Sequence, residues 1–310
     1  MRCVDTSRYP QRVNEPVDPV RIVRSTADVS LVADSVEGDA ELPTVVLLHG
    51  LTQQRKFWGP VIRGLTARPG HPSVVAVDLR GHGDADKPDH GPYDVATCGD
   101  DVALLLEQLR VDRCVVVGHS WGGWITVELA AQQPDRVVGI VALDGGFTRL
   151  ADLGEREAVR TRLTPPRLGI PLDDLMGSIS TGPLGPWWSD EMRDALLPTF
   201  EVDDEGLART RLGFDRHMQV LDGALDYDPV VALETIACPA WLVRCEPVGT
   251  VEPDAALLRA AGLLAMPRVL RWAGAVHDVP LQWPALVAGV IESCVDEVGA
   301  AERPDGRGDA

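Results

Sequence analysis

The sequence predicts an α/β protein in which a mostly parallel central sheet carries helices on both faces, with a helical cap inserted between two late strands. Three observations lead there. Short β-branched runs alternate with segments of helical periodicity through the first part of the chain, the rhythm that builds a parallel sheet covered on both sides. From about residue 145 to 236 that rhythm stops, and Pro165, Pro166, Pro171, Pro183, Pro186 and Pro198 interrupt short helical pieces. From residue 238 the alternation of strand and helix resumes.

In order along the chain, residues 20–23 and 30–33 read as edge strands, 44–48 as an apolar strand, and 74–78, 114–117 and 138–143 as three more. Residues 99–109 and 122–133 read as helices, the second with Ala, Val and Leu on one face. The insertion shows no strand pattern. After it, 238–244 and the stretch near 268–272 read as strands, and about 283–298 as the last helix. The expected organisation is an N-terminal extension (1–19), a core (20–145 and 237–298), a helical cap (146–236) and a disordered tail (299–310) of small and charged residues.

Composition narrows the function classes. The 310 residues carry 29 Lys+Arg against 47 Asp+Glu, a net charge of −18, which disfavours nucleic acid or an anionic membrane as partner. With 45% hydrophobic and 25% charged residues the chain has the composition of an ordinary globular protein. Its apolar runs are far too short to span a bilayer. The six cysteines, Cys3, Cys98, Cys114, Cys238, Cys245 and Cys294, are scattered, with no Cys-x-x-Cys pair and no zinc spacing. They read as reduced thiols, and with no apolar stretch of a secretory signal near the N-terminus the expectation is a cytoplasmic protein, monomer or homodimer, whose partner is a small-molecule substrate.

The strongest chemical signal is Gly118-His119-Ser120-Trp121-Gly122-Gly123, between the run 114–117 and the helix that follows. It fits G-x-S-x-G in a strand-turn-helix context, where the glycines avoid Cβ clashes and Ser120 is held at a strained φ/ψ with its hydroxyl exposed. A Gly/Ser loop that merely ends a strand is the plain alternative. A second signal, His49-Gly50-Leu51-Thr52, ends the strand 44–48. A tetrahedral oxyanion needs two preorganised N–H donors, and the expected pair is the backbone amides of Leu51 and Trp121. His49 itself reads as a structural residue of that loop.

These elements, with Asp78-Leu79-Arg80-Gly81-His82-Gly83 and a late His277-Asp278, resemble the α/β-hydrolase superfamily over roughly residues 20–298. By that resemblance Ser120 is the nucleophile, and the base is His277, because the family's catalytic histidine lies in the loop between the last strand and the last helix. His71, His90, His119 and His217 compete poorly by position, and Arg80 and His82 read as structural. The sequence departs from the family pattern at the acid. Many relatives carry G-E-x-D-x-x-V-x-P after the strand 240–244; here the stretch is Cys245-Glu246-Pro247-Val248-Gly249-Thr250-Val251-Glu252-Pro253, with Val248 where the Asp would be. A valine accepts no hydrogen bond. Asp144, ending the strand 138–143, is the best replacement, since some members take their acid from that place; Glu246 is the alternative acid, a third carboxylate such as Asp254 or no acid at all are the others, and a turn cap is the structural alternative for Asp144.

The resemblance implies a Ser120-His277-Asp144 triad acting through an acyl-enzyme, with no metal or organic cofactor. The expected activity is a serine hydrolase on an ester, thioester or lactone of a moderately bulky apolar molecule. A biosynthetic enzyme on the same scaffold, making or breaking C–C bonds or cyclising a secondary metabolite, and a ligand receptor stay open as alternatives. The cap is expected to set specificity, with Trp187, Trp188 and His217 as candidate pocket residues and Met176, Leu184, Phe200, Phe214, Met218 and Leu221 as further apolar candidates, ordinary packing within the cap being the structural alternative for them. Trp121 is expected near the pocket floor and Trp124 beneath the helix.

Overall fold

The computed structural model describes residues 19–24, 29–248 and 254–302. The expected N-terminal extension apart from residue 19, the expected tail beyond residue 302, Cys3 and residues 249–253 of the departed acid motif lie outside them.

Six strands precede the insertion: β1 (Pro19–Arg24), β2 (Ser30–Val36), β3 (Thr44–Leu48), β4 (Val74–Asp78), β5 (Cys114–His119) and β6 (Val137–Leu143). Within it lies a short hairpin, β7 (Phe200–Val202) and β8 (Ala208–Thr210), and after it come β9 (Pro239–Glu246) and β10 (Met266–Ala273). Eight strands form one sheet in the order β1-β2-β4-β3-β5-β6-β9-β10. The pairs β1/β2 and β2/β4 are antiparallel and all the others parallel. β2 therefore lies inside the sheet, and the edges are β1 and β10.

The continuous apolar character of β3, β4 and β5 follows from burial on both faces, as parallel strands under two helical layers require. Alternation then sorts the residues. Val46, Leu48, Val116, Ile140 and Leu242 face α2 (Val95–Gln108), α3 (Trp121–Gln132), α8 (Val230–Thr235) and α9 (Ala255–Leu263). Val45, Leu47, Val115, Val117 and Val243 face α1 (Gly59–Leu65), α10 (Val279–Gln282) and α11 (Pro284–Glu302). Asp94 starts α2 by accepting from Thr97 N (2.9 Å), and Asp254 starts α9 by accepting from Leu257 N (3.0 Å). The sequence pattern misses α1, whose seven residues include two glycines and a proline.

Between β6 and β9 the chain forms α4 (Arg156–Leu163), α5 (Leu172–Ser180), α6 (Asp190–Leu196), α7 (Phe214–Asp226) and α8. The expectation of no strands there is corrected by the β7/β8 hairpin: three residues per strand are too few to show a period, and the turn is closed by Asp203, which accepts from Glu205 N (3.1 Å) and Leu207 N (2.9 Å). Arg160 bonds Asp222 with two hydrogen bonds (2.7 and 3.1 Å), joining α4 to α7, and Tyr227 Oη donates to Glu128 on α3 (2.9 Å), joining the end of α7 to the core. Among the described residues no helix is long and apolar enough to cross a membrane.

Candidate active site

Ser120, Asp144, Leu51 and His277 all lie just beyond the carboxyl ends of strands, after β5, β6, β3 and β10 respectively, which is where open α/β sheets place ligands. Ser120 sits between β5 and α3 at φ 54°, ψ −118°, a conformation that costs an L-residue strain and lifts its side chain off the sheet edge. The surroundings leave the turn no freedom. A Cβ on Gly118 would lie 2.1 Å from Gly122 O, and one on Gly145 would lie 2.0 Å from Ser120 O. Ser120 N donates to Leu143 O (2.9 Å), tying the elbow to the end of β6.

His277 Nε2 is 2.9 Å from Ser120 Oγ, and His277 Nδ1 is 2.7 Å from Asp144 Oδ2. A carboxylate only accepts, so Nδ1 carries the proton and Nε2 accepts from the serine hydroxyl. Asp144, itself at φ 48°, also accepts at Oδ1 from Cys245 N (3.0 Å) and Arg244 Nη1 (3.1 Å). Burial alone would raise the Asp144 pKa; the bond and charge of His277, the Cys245 amide and Arg244 outweigh it and hold the carboxyl below its ordinary value. Burial pulls the other way on His277, but the hydrogen bond and charge of Asp144, with the charge of Asp278, raise its pKa above 6.5.

Three further residues, Gln53, His119 and Arg244, knit the loops together. Gln53 accepts at Oε1 from Gly50 N (3.0 Å), lies 3.1 Å from His119 Nδ1 and donates from Nε2 to Asp278 Oδ1 (2.6 Å). It thus links the loop after β3 to the loop that bears His277. His119, fully buried beside the nucleophile, lies with Nε2 2.8 Å from His277 O, and burial lowers its pKa to about 3. Arg244 spans Asp144 and Asp254 (Nε to Oδ2, 2.8 Å). Leu51 and Trp121 both line the cavity at Ser120, and Trp121 is the first residue of α3, where a helix leaves its N–H groups without intrahelical acceptors.

His49 and the Asp78-to-Gly83 stretch are structural in their contacts. His49 Nε2 accepts from Leu79 N (3.1 Å), Arg80 bonds Asp101 twice (2.7 and 2.8 Å) with both side chains buried, and His82 Nδ1 lies 2.8 Å from Arg80 O.

A cavity of about 1200 Å³ opens over Ser120 and His277. Its walls are Leu51, Trp121 and Trp124 from the core, Leu150, Leu153 and Leu163 from the first part of the insertion, and His217, Leu221 and Ala224 from α7. His217 and Leu221 lie in this wall. Trp187 and Trp188 do not: Trp187 packs edge-on against Trp283 (6.5 Å between ring centres), and Trp188 packs into the clusters that hold α5 and α6. Met176, Leu184, Phe200, Phe214 and Met218 likewise pack elsewhere, since apolar character requires burial without choosing the partner. Trp124 lines the cavity rather than lying beneath the helix, anchored by Nε1 donating to Thr148 O (2.8 Å). Among the described residues no group of three or more His, Cys, Asp or Glu side chains is placed to hold a metal ion.

The family model described as "alpha/beta hydrolase fold" matches residues 43–220, more than half of the chain. The chain belongs to the alpha/beta hydrolase fold family. A curated relative, the sn-1-specific diacylglycerol lipase of Mus musculus, is 38% identical over 109 residues, 35% of this chain and 34% of the relative. The 2-(acetamidomethylene)succinate hydrolase of Mesorhizobium japonicum is 32% identical over 136 residues, 44% of this chain and 47% of that protein. The matches thus span about a third to a half of those relatives. The crystal structure of E-2-(acetamidomethylene)succinate hydrolase superposes with a TM-score of 0.74 at 26% identity, over 90% of this chain and 100% of that one. The thioesterase domain from the curacin biosynthetic pathway (TM-score 0.69, 18% identity, 89% of this chain and 99% of that one) shares the fold.

In this alpha/beta hydrolase fold chain the side chains at the end of β9 are committed elsewhere. Val248 is 94% exposed. Glu246, the alternative acid, is spent on an ion pair with Arg271 of β10, and Asp254 caps α9 and pairs with Arg244. The carboxylate in contact with His277 is that of Asp144.

Proposed function

We propose that the chain is a cofactor-independent serine hydrolase that cleaves an ester, thioester or lactone of a moderately bulky, uncharged small molecule through an acyl-enzyme. The observation that carries this reading is the unbroken hydrogen-bonded line Ser120–His277–Asp144 at the floor of a large, mainly apolar cavity. In the proposed reaction His277 takes the Ser120 proton as Oγ attacks the carbonyl, and Asp144 holds the tautomer and stabilises the imidazolium. The Leu51 and Trp121 amides receive the oxyanion, His277 then protonates the leaving group, and water activated by the same ring releases the acyl group. The names of the curated relatives, a lipase and a hydrolase, agree with this reading.

Charge favours a neutral substrate over a dicarboxylate such as the succinate in the name of the structural neighbour. The cavity wall holds Asp144, Asp152, Glu246 and Asp254 against Arg244 and Arg259, and both arginines are already paired, Arg259 with Asp152 at 2.9 Å. The test is labelling with a fluorophosphonate probe, with the adduct located by mass spectrometry, beside a panel of neutral and carboxylate-bearing esters. Wild type is expected to label on Ser120, Ser120→Ala not at all, Asp144→Asn weakly, and Glu246→Gln as wild type does. A folded wild type that gains no adduct on Ser120 overturns the reading; preference for the carboxylate-bearing esters overturns the charge argument.

A further inference from the structure

His217 differs from the charged side chains that share the cavity wall, each of which is committed to an ion pair. It comes from α7 of the insertion and is 93% buried. Its Nδ1 lies 3.1 Å from Thr52 Oγ1. Its other ring nitrogen, Nε2, has no hydrogen-bond partner among the described residues, although the ring lines the cavity. A nitrogen that opens into such a cavity is met by solvent, and a bound molecule that excludes the solvent has to supply a partner in its place.

The ring is anchored beside the loop that follows β3. Thr52 directly follows Leu51 and sits at φ 76°, an unusual conformation for a β-branched residue. It is held from two sides: its N–H points to His82 Nε2 (3.4 Å) and its hydroxyl meets His217. A residue of the insertion is thereby fastened to the loop that carries the proposed oxyanion amide, one position after Leu51. Burial lowers the His217 pKa to about 4, so near neutral pH the ring is uncharged and bears one proton. Where the Thr52 hydroxyl donates to Nδ1, that proton is on Nε2.

We propose that His217 recognises an oxygen function of the substrate, a hydroxyl or keto oxygen carried on the acyl chain close to the reacting carbonyl, by donating from Nε2–H. The assignment rests on the serine hydrolase reading and adds the substrate class: acyl groups oxygenated at the second or third carbon, in an otherwise apolar setting.

The experiment compares kcat/KM of the purified full chain for p-nitrophenyl butyrate and p-nitrophenyl 3-hydroxybutyrate, in wild type, His217→Phe and His217→Gln. Wild type is expected to prefer the hydroxy ester about tenfold, the effect of one well-placed hydrogen bond. The ratio is expected to fall to about 1 in His217→Phe and to recover in part in His217→Gln, whose amide also donates. Any disturbance of the Leu51 loop acts on both esters and cancels in the ratio. No preference in wild type, or a preference that survives in His217→Phe, overturns the proposal. If His217→Phe does not fold, Thr52→Val decides on the same ratio: loss of the orienting hydroxyl is expected to lower it at least about threefold, and an unchanged ratio overturns the proposal. Absence of turnover of both esters together with absence of a Ser120 adduct in wild type defeats the hydrolase reading and the assignment with it; turnover without preference defeats only the role of His217.

Discussion

Asp144 determines the state of His277 through a single 2.7 Å contact, and its consequences are measurable as a pH profile. The proposed role of His277 as general base needs the neutral ring. The folded pKa of His277 is raised above 6.5, so the acidic limb of kcat/KM is expected above pH 6.5, with activity lost as pH falls through it. In Asp144→Asn the charge that stabilises the imidazolium is gone. The limb is expected to move to lower pH while the rate drops roughly 10³–10⁴-fold, because an amide that donates to Nδ1 selects the wrong tautomer. A limb that stays in place in the variant would assign the titration to another group. Arg244 belongs to the same account: its guanidinium on Asp144 opposes the rise of the His277 pKa, and no feature of the β9 sequence advertises that contact.

At the scale of elements, glycine marks where backbones must touch and where they need not. The elbow between β5 and α3 is packed against the turn after β6, so Gly145→Ala would drive a Cβ to 2.0 Å from Ser120 O. That variant is expected to lose soluble folded protein. Gly177, exposed in the middle of α5, has nothing within 4 Å of a Cβ, and its φ is not in the left-handed region. Gly177→Ala is expected to stabilise by about 0.5–1 kcal/mol through helix propensity, read as an upward shift of the chemical-denaturation midpoint without loss of activity. If both variants behave alike, close approach at the elbow is not what makes Gly145 necessary.

For the whole molecule, the buried histidines make stability depend on pH. Burial lowers the pKa of His49, His82, His119 and His217, to about 3 for His119 and about 4 for His217. Unfolded, each titrates near 6.5, so below that pH the unfolded chain binds protons that the folded chain refuses. Stability is therefore present above pH 6.5 and lost as pH falls from there toward 4. The loss at pH 5 is on the order of 2 kcal/mol for each of His119 and His217, a large share of an ordinary folding free energy. Asp144, with its lowered pKa, adds to the loss at still lower pH, and His277, with its raised pKa, opposes it. Thermal melts between pH 7 and 5 are expected to show a steep fall in Tm; a flat Tm would mean that these rings accept protons in the folded state.

What was readable in the sequence was whatever short-range pattern decides. The apolar runs that become β3 to β6 must be buried on both faces, and their alternation with helical segments admits few topologies. The glycines around Ser120 mark a turn that no other residue type can make, and chain order singles out His277. Asp144 was legible only because Val248 cannot accept a hydrogen bond, and contact with His277 is a property of where β6 ends relative to β10. The rest was decided in three dimensions. Which apolar faces of the insertion turn toward Ser120 is not encoded in hydrophobicity, which asks for burial and is equally satisfied by Trp187 against Trp283 or by Leu221 in the cavity wall. Polar residues such as Gln53, Arg244 and His217 owe their roles to partners 225, 100 and 165 positions away in the chain. Local sequence sets the backbone path because sterics and burial act between neighbours, whereas hydrogen-bond partners far apart in the chain exist only once the sheet has brought its loops to one edge.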